Sequence, residues 1–275
     1  MSRFASIFAR ARAESRCALI PYLTAGDPTA GATLAACEAM AAAGADIIEL
    51  GIPFSDPLAD GPVIQAASER ALAQGMTLEG VLKLAAMLRQ AAPALGILLF
   101  GYYNPLLRYG LEAFAAAAAR AGADGVLVTD LIPEEAEAYC AALAARQLDP
   151  VFLAAPTSPD ERLGRIAAAS RGFIYAVSRT GVTGARRQVP EGAHTLVARL
   201  RRHTALPLAL GFGISTPEQA REVAGFADGV VVGTALVERM AAAVKQNGPQ
   251  AAAGAAAEFI RSLRAGIALA APGRA

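Results

Sequence analysis

The chain has 275 residues, 55% of them hydrophobic, with 25 lysines and arginines against 24 acids and a formal charge of +1. That balance excludes broad electrostatic attraction to nucleic acid or an anionic membrane, so any anion site must be local. Cys17, Cys37 and Cys140 are odd in number and far apart, which excludes a disulfide framework and a clustered metal site and fits small core or helix residues in a reducing cytoplasm.

Residues 1–16 carry four arginines, one acid, and Phe4, Ile7, Phe8 and Ala11 at helical spacing. A presequence has this pattern, and so does a helix covering one end of a fold; the apolar run starting at Ala18 favours the covering helix. Beyond it, strands are predicted over 18–23, 46–50, 96–100, 125–129, 150–153, 173–177, 207–210 and 229–232. Helical patterns lie between them over 29–42, 78–90, 111–120, 134–146, 160–169, 191–203 and 216–224. An additional short helix over 63–73 carries Pro62 at its first position, and an alanine-rich helix over 250–265 precedes a frayed end. Strands that alternate with helices pair in parallel through crossovers. Eight such units predict a single α/β domain over 1–275, a (β/α)8 TIM barrel with an extra N-terminal helix and extended loops after strands 2 and 6.

One short pattern recurs: Ala43-Gly44-Ala45-Asp46, Ala121-Gly122-Ala123-Asp124 and Gly225-Phe226-Ala227-Asp228 each end a helix and open an apolar strand. It belongs to the lower, stabilising end of a barrel, and its aspartates are expected as loop and cap residues. The longest uncharged run, 90–107, is interrupted by Pro93, Gly96, Gly101, Asn104 and Pro105 and is too short for a spanning helix.

Active-site residues of a barrel sit at the upper strand ends and the loops beyond. Glu49 shares a face with Ile47 inside an apolar strand, and no lysine or arginine lies in any predicted strand to pair with it. Apolar surroundings raise a carboxyl pKa and suit a group that both gives and takes a proton. Asp60 is either a second acid or a cap for the helix after it. Asp56 is expected to be structural or at a contact surface. Tyr175 either packs the barrel or hydrogen-bonds a carboxylate or substrate, while Tyr22 and Tyr102 look like pocket walls. Gly184, Gly211 to Ser215, and Gly233-Thr234 lie on loops after strands 6, 7 and 8, where backbone N–H groups and a helix N-terminus make a phosphate site. His194 and His203 fall on one outer helix, and Lys83 and Lys245 on others, which argues against a catalytic triad, a histidine metal site and a Schiff-base lysine.

The stretch Glu49-Leu-Gly-Ile-Pro-Phe-Ser-Asp-Pro-Leu-Ala-Asp-Gly-Pro62 resembles the hallmark segment of the tryptophan synthase alpha chain family nearly letter for letter. Thr24-Ala-Gly-Asp-Pro28, Ser178-Arg-Thr-Gly-Val-Thr-Gly184 and Gly211-Phe-Gly-Ile-Ser215 extend the resemblance in order. The resemblance implies reversible retro-aldol cleavage of indole-3-glycerol phosphate to indole and glyceraldehyde 3-phosphate. It implies Glu49 as general acid/base, Asp60 as the acid facing the indole N–H, and Tyr175 beside Glu49. Tyr22, Phe100, Leu127 and Phe212 would enclose the indole. Thr183 would lie on a closing loop, and Gly184, Gly213, Gly233 and Thr234 would hold the phosphate. Thr234 stands where the family often has serine. No metal or cofactor is expected in this chain; pyridoxal phosphate would sit only in a beta-chain partner of an α2β2 complex. The contact surface would comprise Asp56, Pro57, Leu58, Asn104, Asp130 and Pro133. Other readings are a stand-alone indole-glycerol-phosphate lyase, another phosphate-binding barrel such as an isomerase, and a mainly allosteric subunit.

Overall fold

The computed structural model describes residues 2–177, 191–211 and 213–270. Its strands are β1 (Ala18–Thr24), β2 (Ile47–Gly51), β3 (Gly96–Gly101), β4 (Gly125–Val128), β5 (Asp149–Val151), β6 (Leu153–Ala154), β7 (Ile174–Val177), β8 (Leu208–Gly211) and β9 (Gly229–Val232). All pair in parallel, in the order β5-β4-β3-β2-β1-β9-β8-β7-β6. β5 and β6 are two halves of the predicted fifth strand, separated by Phe152. The first half pairs with β4 and the second with β7, so the sheet closes as an eight-unit barrel.

The helices are α1 (Arg3–Ala13), α2 (Ala30–Ala42), α3 (Pro62–Ala73), α4 (Leu78–Ala91), α5 (Tyr103–Tyr109), α6 (Leu111–Arg120), α7 (Glu137–Ala144), α8 (Asp160–Ala169), α9 (Glu191–Arg201), α10 (Pro217–Ala224), α11 (Thr234–Asn247) and α12 (Ala251–Ala268). Thr29 and Thr216, placed inside helices by the pattern, are N-caps whose hydroxyls accept from Ala32 and Gln219 N–H. The predicted 134–146 helix divides into a 3₁₀ turn, Pro133–Glu135, and α7, because Ala136 leaves helical geometry at φ −95°, ψ 10°. The sequence reading missed α5. Pro105 lies in its first turn, where a missing N–H costs no intrahelical bond. The extended loop expected after strand 2 is present and ends in α3; the one after strand 6, 178–190, lies outside the described residues.

Side-chain alternation divides the apolar residues into two clusters. Ile48, Leu50, Ile97, Leu99, Val126, Ile174 and Leu210 point outward against the helices. Ile20, Tyr22, Ile47, Leu98, Phe100, Leu127, Tyr175 and Val231 fill the barrel interior. Glu49 lies between Ile48 and Leu50, so its side chain takes the interior face.

The lower end is closed by α1, which buries Phe4, Ile7, Phe8 and Ala11. Phe4 is fully buried and meets Phe173 edge-on at 5.4 Å between ring centroids. Glycines make room for it: a Cβ on Gly125 would stand 2.7 Å from the Phe4 ring, and one on Gly172 2.8 Å.

The recurring aspartates sit at this end and cap strands. Asp46, before β2, accepts from Leu19 N–H of β1 at 2.9 Å; Asp124 accepts from Ile97 N–H of β3 at 2.8 Å; Asp228 accepts from Leu208 N–H of β8 at 2.9 Å. Each therefore satisfies an amide at the start of a neighbouring strand, the second of β1 and β3 and the first of β8, and each is paired with arginine: Asp46 with Arg16 and Arg264, Asp124 with Arg3 and Arg89, Asp228 with Arg201. Burial works to raise the Asp46 pKa, and the arginines outweigh it, holding that carboxyl below its ordinary value.

Phe4→Ala would leave a cavity under the barrel and is expected to destabilise the protein by about 3–5 kcal/mol, read from urea unfolding midpoints at constant m. A change within experimental error would show that α1 does not close the floor.

Candidate functional site

Glu49 stands in register with Tyr22 of β1 and Leu98 of β3. It is 1% exposed, and both carboxyl oxygens are buried without a hydrogen-bond partner. Burial alone pushes its pKa well above the usual carboxyl range, so the neutral acid is the stable form inside the barrel.

Above Glu49 the walls are phenols and glycines. Tyr22 meets Phe100 edge-on at 5.1 Å, and its hydroxyl lies 3.3 Å from Thr24 Oγ1. Tyr22 leans across Gly51 and Tyr175 across Gly211; a Cβ on either glycine would collide with the phenol oxygen at 2.4 Å. These two glycines are thus spaces for aromatic rings. Tyr175 is buried on β7, and its pKa is raised first by burial and then by the charge of Glu49.

Asp60 comes from the loop between β2 and α3. Its N–H donates to Pro57 O at 3.0 Å, and its carbonyl accepts from Gln65 Nε2 at 2.8 Å. The N-cap of α3 is Gly61, with no side-chain cap, so the capping role open to Asp60 in the sequence is not the one it fills. Its carboxyl lines the same cavity as Glu49, where burial pushes its pKa up to about 6, opposed by a hydrogen bond from Tyr102.

The cavity, about 70 Å³, is lined by Tyr22, Glu49, Asp60, Phe100 and Tyr175 on one part and Gly213, Gly233 and Thr234 on another. Gly233 is the N-cap of α11 and Thr234 its first residue, so the first N–H groups of a 14-residue helix open here. Gly213 holds φ +91°, a conformation that L side chains rarely adopt. Leu127 lies fully buried on the inner face of β4, apart from the cavity wall. Thr183, Gly184 and Phe212 lie outside the described residues. Ala59, Gly61 and Ile64 also line the cavity, and the sequence reading missed them. Their signal was adjacency to Asp60.

Asp56, Leu58, Asn104 and Asp130 are exposed, Pro57 and Pro133 half-buried, all on segments that follow β2, β3 and β4. Leu58 is 91% exposed, and Leu107 and Ile132 add exposed apolar surface on the same side. His194, His203, Lys83 and Lys245 are exposed on or beside outer helices. Among the described residues no group of three or more His, Cys, Asp or Glu is arranged to hold a metal ion, and no single helix is long and apolar enough to cross a membrane. A larger hollow of about 1180 Å³ lies at the opposite end, between α1 and the barrel floor. Arg3 and Arg89 there are engaged with Asp124, and Arg171 with the carbonyls of Ala168 and Ser170, so that end carries scaffold contacts.

Residues 8–267 match the sequence profile of the family described as tryptophan synthase alpha chain. The tryptophan synthase alpha chain of Roseiflexus castenholzii is 50% identical over 96% of this chain and 100% of its own length. That of Methylibium petroleiphilum is 47% identical over 96% of each. Among solved structures, a chain of Mycobacterium tuberculosis tryptophan synthase superposes with a TM-score of 0.88 at 41% identity, covering 98% of this chain and 99% of that one. The tryptophan synthase alpha chain of Legionella pneumophila superposes with a TM-score of 0.88 at 36% identity, covering 98% of each.

Because Glu49 binds its proton more tightly in the folded state, folding favours the protonated acid. Stability is therefore fully present below the ordinary carboxyl pKa of 4.5 and falls as pH rises through the window above it. Glu49→Gln removes the ionisable group. Its stability relative to the parent should rise steadily from pH 4 towards neutrality in denaturant unfolding; parallel pH profiles would show that Glu49 titrates normally.

Proposed function

The chain belongs to the tryptophan synthase alpha chain family and is a lyase of tryptophan biosynthesis. We propose that Glu49 and Asp60 divide the work of its alpha reaction, the reversible retro-aldol cleavage of indole-3-glycerol phosphate to indole and glyceraldehyde 3-phosphate. The observation that carries this assignment is the unpartnered Glu49 carboxyl, buried in the same cavity as the Asp60 carboxyl. Expelling an indole carbanion directly is unfavourable. Glu49, held neutral, gives its proton to indole C3 and turns the ring into an electron sink. The bond from C3 to the glycerol side chain then breaks. Its electrons return to the ring, and the side-chain hydroxyl gives its proton to the Glu49 carboxylate as the aldehyde forms, which restores the acid. Asp60, ionised above about pH 6, opposes the positive charge that develops on the ring nitrogen. Tyr22 and Phe100 suit an apolar ring, Tyr175 borders Glu49, and Leu127 backs this wall from within the barrel. Gly213, Gly233, Thr234 and the α11 N-terminus suit the phosphate. Thr183, Gly184 and Phe212 complete the proposed site.

A beta-chain partner accompanies alpha chains of this family, and in our reading the assembly is an α2β2 tetramer in the cytoplasm. Exposed Leu58, Leu107 and Ile132, with Asp56, Pro57, Asn104, Asp130 and Pro133, support a docking surface beside the Asp60 loop. Pyridoxal phosphate would belong to the partner, since Lys83 and Lys245 are exposed on outer helices, far in character from a cofactor pocket.

Glu49→Gln should lower indole release from indole-3-glycerol phosphate by about 10²-fold or more while the circular dichroism spectrum is retained. Parent-like turnover of that variant would overturn the assignment. Fast parent turnover without a beta chain would identify a stand-alone lyase.

A further inference from the structure

We propose that Tyr102 is a positioning residue for this reaction: its hydroxyl holds the loop that carries Asp60 and aims the Asp60 carboxylate into the cavity. The inference rests on the reading that Asp60 serves the reaction. Asp60 lies between β2 and α3, next to Gly61, where Pro57 O and Gln65 Nε2 hold its backbone and leave its side chain to be directed by other elements. Tyr102 lies directly after β3 on the rigid barrel and is 4% exposed. Its phenol oxygen accepts from Ala59 N–H at 3.0 Å, which ties the residue before Asp60 to the barrel. The same hydroxyl keeps its own proton, for which the Asp60 carboxyl and the Thr129 side chain are the neighbouring acceptors. The ring is held in turn by Phe54, 5.3 Å away between centroids at 34°. Next along the chain, Tyr103 N–H donates to Asp130 Oδ1 at 2.8 Å and pins the backbone.

The groups facing Asp60 from the other packed elements are Tyr22 on β1, Glu49 on β2 and Tyr175 on β7. Among the described lining residues none is a lysine or arginine, so no cation there offsets the burial of Asp60. A donated hydrogen bond from a phenol is the interaction that opposes burial and favours the ionised form. Loss of that donor leaves the carboxyl both less acidic and less directed.

Tyr102→Phe removes the hydroxyl and keeps the ring on Phe54. The assay is indole release from indole-3-glycerol phosphate in the presence of the beta chain, with kcat and KM taken across the pH range 5–8.5. A hydrogen bond to a charged group supports an expected kcat loss of about 10- to 100-fold. KM should be nearly unchanged, and the acid limb of the kcat profile should move to higher pH, since Asp60 gives up its proton less readily. In an Asp60→Asn background the same substitution should cost little more. A uniform kcat loss with the acid limb unmoved, or an equal loss in both backgrounds, would reduce Tyr102 to a structural role, as would parent-like kinetics. Asp60→Asn alone separates the two readings. If it is as active as the parent, the role of Asp60 itself fails; if it is impaired while Tyr102→Phe matches the parent, only the positioning role fails.

Discussion

The burial of an uncompensated carboxyl on β2 organises the upper half of this molecule. The recurring aspartates at the lower end are neutralised: Asp46 meets two arginines and a strand amide, and Asp124 and Asp228 follow the same plan. Glu49 is surrounded by Ile47, Leu98, Tyr22 and Tyr175 and finds no donor. A carboxyl in that position avoids the cost of a buried charge by keeping its proton. The same property makes it a proton donor at neutral pH. Stability and chemistry are therefore opposed at one side chain, as expected where binding energy and strain are concentrated at a functional site.

The cost is borne by a scaffold with little else out of place. The two carboxyl environments occupy opposite ends of the barrel. Below, α1 and the aspartate–arginine pairs close the floor and satisfy amides at the starts of β1, β3 and β8. Above, the strand ends carry phenols over glycines and lead into loops. This is the division of labour general to such barrels, with stability at the N-terminal face and chemistry at the C-terminal one. Tyr102 joins the two regimes, because it is fixed to the barrel through β3 while its hydroxyl holds the one loop segment that brings in a second acid.

The strand-helix alternation, the inward face of Glu49 and the glycine-bearing ends of strands 7 and 8 were legible in the sequence, since each follows from periodicity of 2 or 3.6 or from residue type at a turn. The hallmark segment from Glu49 to Pro62 carried the family. Local pattern could not show that β5 and β6 part at Phe152, because the break arises from which neighbour each half pairs with. It also missed α5, whose proline sits in a first turn that tolerates it. The roles of the recurring aspartates were half legible: their place at the lower end followed from the repeat, their capping of neighbouring strands did not.

For the site, the sequence by itself determined that an acid stands in an apolar strand and that a second acid follows on a constrained loop. Only the tertiary structure decided that Glu49 finds no partner, that Asp60 caps nothing, and that Tyr102 reaches back to the Asp60 loop across 43 residues. Local propensity is written in neighbouring residues. Solvation, pairing and hydrogen-bond reach depend on what other strands bring to the same point, and that is fixed only when the barrel closes.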